Sequence, residues 1–99
     1  MWHSVENGKT IGKIGSENGH ILADEEYRND CRITLEDVSY TAPYSITCGI
    51  YGLMVHTTFA DDKAEAEEKY AEMKKELQAF LDSNDDGSNG WCERFTSKW

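Results

Sequence analysis

Cys48 and His56 are the one pair of residues in this chain that could serve as nucleophile and base. If residues 44–59 run as a single strand, eight residues separate them by roughly 26 Å, too far for proton transfer. A hairpin turning through Gly49–Gly52 shortens that distance but brings His56 nearer to Ser45. On this reading Cys48 is a core thiol and His56 a half-buried imidazole. His3 and His20 fall in turn-rich segments, and three dispersed histidines without paired spacing do not compose a transition-metal site. Gly8-Lys9-Thr10 has the ending of a phosphate-binding loop. The glycine required five residues earlier is replaced by His3, and strand is expected where that loop needs a helix. No convergent acid, base and nucleophile emerges, so a small enzyme ranks third among the functional readings.

Oxygen chemistry is more concentrated near the C-terminus. Asp82, Asn84 and Asp86 alternate, Gly87 occupies the sixth position of the run and Glu93 the twelfth. Alternating side-chain oxygens can converge on one hard cation, glycine permits the sharp turn between them, and a terminal glutamate can close the shell with both oxygens. The segment 82–93 resembles an EF-hand calcium loop. That resemblance implies Asp82, Asn84 and Asp86 as side-chain ligands, Ser88 through its carbonyl, Gly90 only through water, and Glu93 bidentate. Calcium is the one cofactor it suggests. The same residue types also make any solvated turn, so a polar linker is the competing reading.

A third grouping is electrostatic. The chain has 99 residues with 19 acidic and 10 basic side chains, a net charge of -9. Such a balance argues against nucleic acid and anionic membranes, which need Lys and Arg surfaces. It favours a protein partner of opposite charge, steered by the field. The cluster Asp24-Glu25-Glu26, followed by Tyr27, combines carboxylates and an aromatic ring in the manner of a protein interface. Tyr40, Tyr44, Tyr51, Trp2, Trp91 and Trp99 add more aromatic residues than a core of this size needs. The expected function is therefore a small acidic, non-enzymatic protein-binding module, of the inhibitor or immunity type that masks a basic partner. Calcium binding through 82–93 is the alternative. Three widely spaced cysteines without a CxxC fit free thiols in a reducing cytoplasm, and neither a signal peptide nor a membrane span is indicated.

The elements that must position these groups divide near Ala60. Residues 1–60 carry the glycine turns and the β-branched and aromatic residues; 61–82 contain neither Gly nor Pro and are rich in Ala, Glu, Lys, Met and Leu. Thr10–Gly15 and His20–Asp24 flank Ser16-Glu17-Asn18-Gly19, which predicts a hairpin. Cys31–Glu36 alternates, placing Cys31, Ile33 and Leu35 on the core and Arg32, Thr34 and Glu36 toward water. Tyr40-Thr41-Ala42-Pro43 is a turn signal, and 44–59 reads as two paired strands in preference to one bent strand. Asp61 or Asp62 with Glu65 predicts a capped helix start, and Ala66, Tyr70, Met73, Leu77, Phe80 and Leu81 form its apolar stripe. The expected fold is a single α+β domain: an antiparallel sheet of four or five strands over residues 2–59, covered on one face by one helix, 61–82. A polar loop, 83–90, then leads to a short aromatic C-terminal segment, with Trp91, Phe95 and Trp99 at spacings of four.

Overall fold

The computed structural model describes residues 1–39 and 43–99. Five strands form one antiparallel sheet in the order of the chain: β1 (Trp2–Ser4), β2 (His20–Tyr27), β3 (Cys31–Asp37), β4 (Tyr44–Ile50) and β5 (Met54–Ala60). One long helix, α1 (Lys63–Asp82), and a short one, α2 (Trp91–Lys98), complete the α+β fold. Among the described residues no helix is long and apolar enough to cross a membrane. Of the turn signal before β4, Tyr40, Thr41 and Ala42 lie outside the described residues; the Pro43 carbonyl accepts hydrogen bonds from the amides of Val38 (2.7 Å) and Ser39 (3.3 Å).

The period of two along β3 sends Cys31, Ile33 and Leu35 to one face, where Ile50, Cys48 and Ile46 of β4 stand directly opposite them. Onto this face α1 lays Ala66, Met73, Leu77 and Phe80 of its stripe; Ile33, Ile46, Met73 and Leu77 have no exposed surface. Each such apolar side chain contributes about 2 kcal/mol by leaving water. Asp62 caps α1 by accepting from the Glu65 amide at 2.7 Å, while the Glu65 carboxylate returns to the Asp61 amide at 2.8 Å. These reciprocal bonds satisfy amides that the first turn leaves free, and they fix where the helix begins.

Two local expectations are corrected. The hairpin around Ser16–Gly19 is not a strand pair: residues 9–15 are mostly turns, joined to β2 by one isolated bridge between Ile14 and His20. The turn itself forms, with Asn18 at φ +64° and the Gly15 amide bonded to the Gly19 carbonyl at 2.9 Å, but the strand that pairs with β2 is β1. A 3-10 turn, Val5–Gly8, then diverts the chain across the sheet. The second correction concerns the reversal between β4 and β5. It lies at Tyr51–Leu53, closed by the Leu53 amide on the Ile50 carbonyl (2.9 Å), with Gly52 at φ +78°. That register sets His56 opposite Cys48, while Ser45 faces Phe59.

Candidate functional site

The helices cover one face of the sheet; residues 10–19 lie over part of the other and leave the rest open. A β-bulge at Leu22 produces this arrangement. Its extra residue lets Ile21 pair with Glu36 while Ala23 pairs with Leu35, so Ile21 and Ala23 side chains fall on opposite faces. The Ile21 backbone is thereby free to hold the overlying segment: its carbonyl accepts from the Gly12 amide at 2.8 Å, and its amide donates to the Lys13 carbonyl at 2.9 Å.

A second anchor is Glu36. Its Oε1 accepts from the amides of Glu17 (3.2 Å) and Gly19 (3.1 Å), and the residue has no exposed surface. The expectation that Thr34 and Glu36 face water is therefore overturned, because the 10–19 segment covers them; Thr34 is 9% exposed. Gly15 makes the cover possible, since a Cβ there would stand 2.5 Å from Glu36 Cδ. Gly15→Ala should accordingly loosen the segment and cost about 1–3 kcal/mol, measured by chemical denaturation. Glu36 and Ser45 stand opposite each other on paired strands, and Glu36 Oε2 and Ser45 Oγ are each buried without a hydrogen-bond partner among the described residues.

Beside this cover is a groove of about 800 Å³. Arg32, Thr34 and Thr47 line its floor, and Ile14, Leu53 and Val55 its rim. These three apolar residues are 59%, 43% and 78% exposed, and Phe59 is exposed farther along the same face of β5. The floor is internally paired: Arg32 grips Asp24 with both ends of its guanidinium fork, at 2.8 and 2.6 Å, and the Thr34 hydroxyl donates to the same carboxylate at 3.0 Å. Burial pushes the Asp24 carboxyl up, but the Arg32 hydrogen bonds and charge outweigh it and hold the group below its ordinary range.

The acidic cluster expected to meet a partner is redistributed by the strand's alternation. Asp24 and Tyr27 are 2% and 5% exposed and cannot serve as contact residues. Asp24 is held by Arg32 and Thr34 of the groove floor. Glu25 turns beneath α1, accepting from the Tyr70 hydroxyl (2.7 Å) and the Lys74 ammonium (2.8 Å). Glu26 accepts from the Tyr51 hydroxyl at 2.6 Å. Tyr27 packs on Trp2 and donates to Asp82 at 2.6 Å. The cluster thus joins β2 to its neighbours through four different contacts.

Asp82 is thereby turned toward Tyr27, with Arg28 at 3.8 Å. Asp86 accepts from the Ser88 amide at 2.8 Å, and Asp85 from the Gly87 amide at 2.7 Å and the Asn89 side chain at 2.6 Å. Asn84 takes a left-handed turn at φ +61°, and Glu93 lies in the first turn of α2. Among the described residues no three His, Cys, Asp or Glu side chains gather as a metal-ligand group. Asp82 and Asp86 each use only one carboxylate oxygen in these bonds, so a calcium titration read on the amide resonances of 82–93 tests the loop: a saturable shift led by Gly87 would show the oxygens re-aiming onto the cation, and unmoved resonances would show them holding their present partners.

The β4–β5 register does bring Cys48 and His56 face to face, under the helices. Cys48 is 1% exposed and burial pushes its thiol up to about 12, so it stays protonated. Cys31, its neighbour diagonally across β3, is likewise raised to about 11. His56 packs edge-on against Phe95 with Nε2 buried and without a partner among the described residues. The two cysteines belong to the core, and His56 is half-buried at its edge. The groove rim went unread because Ile14, Leu53 and Val55 are scattered through turns and an edge strand; the available signal was the apolar character of both faces of β5, with Val55 and Phe59 on one and Met54 and Ala60 on the other.

The chain matches no protein-family model, no curated protein and no solved structure.

Proposed function

We propose that this protein is a non-enzymatic binding module that takes a segment of a basic protein partner on the open face of its sheet. The observation that carries this reading is the apolar rim: Ile14, Leu53 and Val55 stay exposed around a groove large enough to accept several side chains. The floor supplies hydroxyls and an already neutralised Asp24–Arg32 pair, which suits recognition more than proton transfer. Both buried thiols are held in the unreactive protonated form. The charge of -9 supplies long-range attraction and rejects acidic competitors.

Affinity capture with the wild-type chain and Ile14→Asp tests the proposal. A basic protein should be retained at low salt, released as salt screens the attraction, and not retained by Ile14→Asp. Ile14 is exposed, so the substitution leaves the core intact. Retention that ignores both salt and the Ile14 change, or no retention at all, overturns the reading.

A further inference from the structure

The sheet ends at β5, and the strand itself carries none of the guards that edges ordinarily have; its one cover is Lys69 of α1, on the Phe59 carbonyl. The opposite edge, β1, is three residues long, short enough to offer little to a neighbouring chain. β5 runs for seven residues, Met54-Val55-His56-Thr57-Thr58-Phe59-Ala60, with no Lys, Arg, Asp, Glu, Pro or Gly among them. Val55 is 78% exposed and Phe59 47%. The Phe59 carbonyl accepts from the Lys69 ammonium at 2.8 Å and so points away from β4. In an antiparallel strand, alternate residues direct their backbone groups to the same side, so Val55 and Thr57 present theirs outward with Phe59.

We propose that β5 pairs with β5 of a second copy of this chain, antiparallel, about a two-fold axis at Thr57. The strand is self-complementary in that register. Val55 of each copy stands opposite Phe59 of the other, and Thr57 opposite Thr57. The apolar side chains therefore meet on the open face as cross-strand pairs. The charges fit as well. In a chain of net charge -9 this strand is a neutral strip, and the register sets Asp61 opposite Leu53 and Asp62 opposite Gly52, so no carboxylate of these segments faces another. Lys69 releases or shares the Phe59 carbonyl, which has a second lone pair for the incoming Val55 amide. The product is a ten-stranded sheet with both grooves on one side, an isologous interface that closes on itself and cannot extend into a fibre.

The interface takes Val55 from the groove rim but leaves Ile14 and the floor free, and its salt dependence has the opposite sign to capture of a basic partner. Two bodies of charge -9 repel, so added salt strengthens self-pairing while weakening capture of a basic partner. Sedimentation velocity over a dilution and salt series should show a dimer that grows with both concentration and salt. Val55→Lys should leave only monomer with unchanged circular dichroism, since Val55 is outside the core. The register is read by crosslinking. Thr57 faces its own copy at about 5.5 Å between Cα atoms, within disulfide reach. Thr57→Cys should therefore give a covalent dimer with oxidised glutathione, which takes up the two electrons and two protons of the paired thiols. Val55→Cys alone should not crosslink, whereas a mixture of Val55→Cys and Phe59→Cys should. The wild-type chain is the control for Cys92, the one cysteine not fully buried. A monomer at every concentration and salt overturns the proposal. So does a dimer that survives Val55→Lys, or equal crosslinking through Val55→Cys and Thr57→Cys.

Discussion

Asp24→Ala should lower the unfolding free energy by about 2–3 kcal/mol at neutral pH, the scale of a lost hydrogen-bonded charge pair in which the surviving Arg32 reaches solvent. Arg32 is 41% exposed at its side chain, so its charge rehydrates; the loss comes from the fork and from the Thr34 hydroxyl, which loses its acceptor. The same residue governs acid stability. Asp24 and Glu25 both have carboxyl groups held below their ordinary values of 3.8 and 4.5, burial opposing the shift and Arg32 or Lys74 overcoming it. A depressed native value means the unfolded chain takes up protons first as pH falls. Their contribution is whole above about pH 5 and is lost as pH falls through 4.5 and 3.8 toward the lower native values. Urea denaturation at pH 7 and at successive acid steps checks both statements. Asp24→Ala should be less stable at neutral pH and lose less on acidification than wild type. Parallel acid profiles for the two proteins would mean that the pair does not distinguish the folded from the unfolded state.

Asp24 also marks where the sequence stops being readable. Local alternation and capping are short-range properties, and they were legible: the core face of β3, a capped start of α1 at Asp61 or Asp62, which the structure places at Asp62, and the stripe from Ala66 to Phe80 follow from spacing alone. What Asp24-Glu25-Glu26 would contact was not. A run of carboxylates looks like a solvated surface until the bulge at Leu22 and the alternation of β2 send them to opposite faces, each toward a partner 8 to 49 positions away. The cover over Glu36 escaped for the same reason. Gly15 is an ordinary turn residue in sequence, and its meaning depends on a carboxylate 21 positions later lying within van der Waals reach. The position of His56 turned on hairpin register, since a reversal at Tyr51–Leu53 in place of Gly49–Gly52 shifts its partner by three residues, from Ser45 to Cys48. The candidate site is assembled from such long-range choices: a bulge, a cover and an edge, none of which has a compositional signature.

Phe95→Ala should have the larger effect, about 3–4 kcal/mol, and an uneven one. The aromatic spacing of the C-terminal segment becomes a continuous stack: Phe80 on Trp91 at 4.2 Å between ring centroids, Trp91 on Phe95 at 4.8 Å, and Phe95 against Trp99 and His56 at 6.5 Å each. Phe95 is its centre and is 2% exposed. α2 has eight residues, well below the length at which a helix holds itself in water. Its order therefore depends on this stack, with help from the Lys98–Glu76 ion pair at 2.6 Å. Without the Phe95 ring, α2 should open locally before the sheet does, exposing Trp91 and admitting water to His56 Nε2, which has no partner to lose. Amide exchange should then become fast across 91–98 while β3 and β4 stay protected, and tryptophan emission should shift to the red. Equal acceleration across the helix and the sheet would instead make α2 part of one cooperative unit with β4 and β5. The α2-side layer over the β5 edge would then be as rigid as the core, and the self-pairing surface with it.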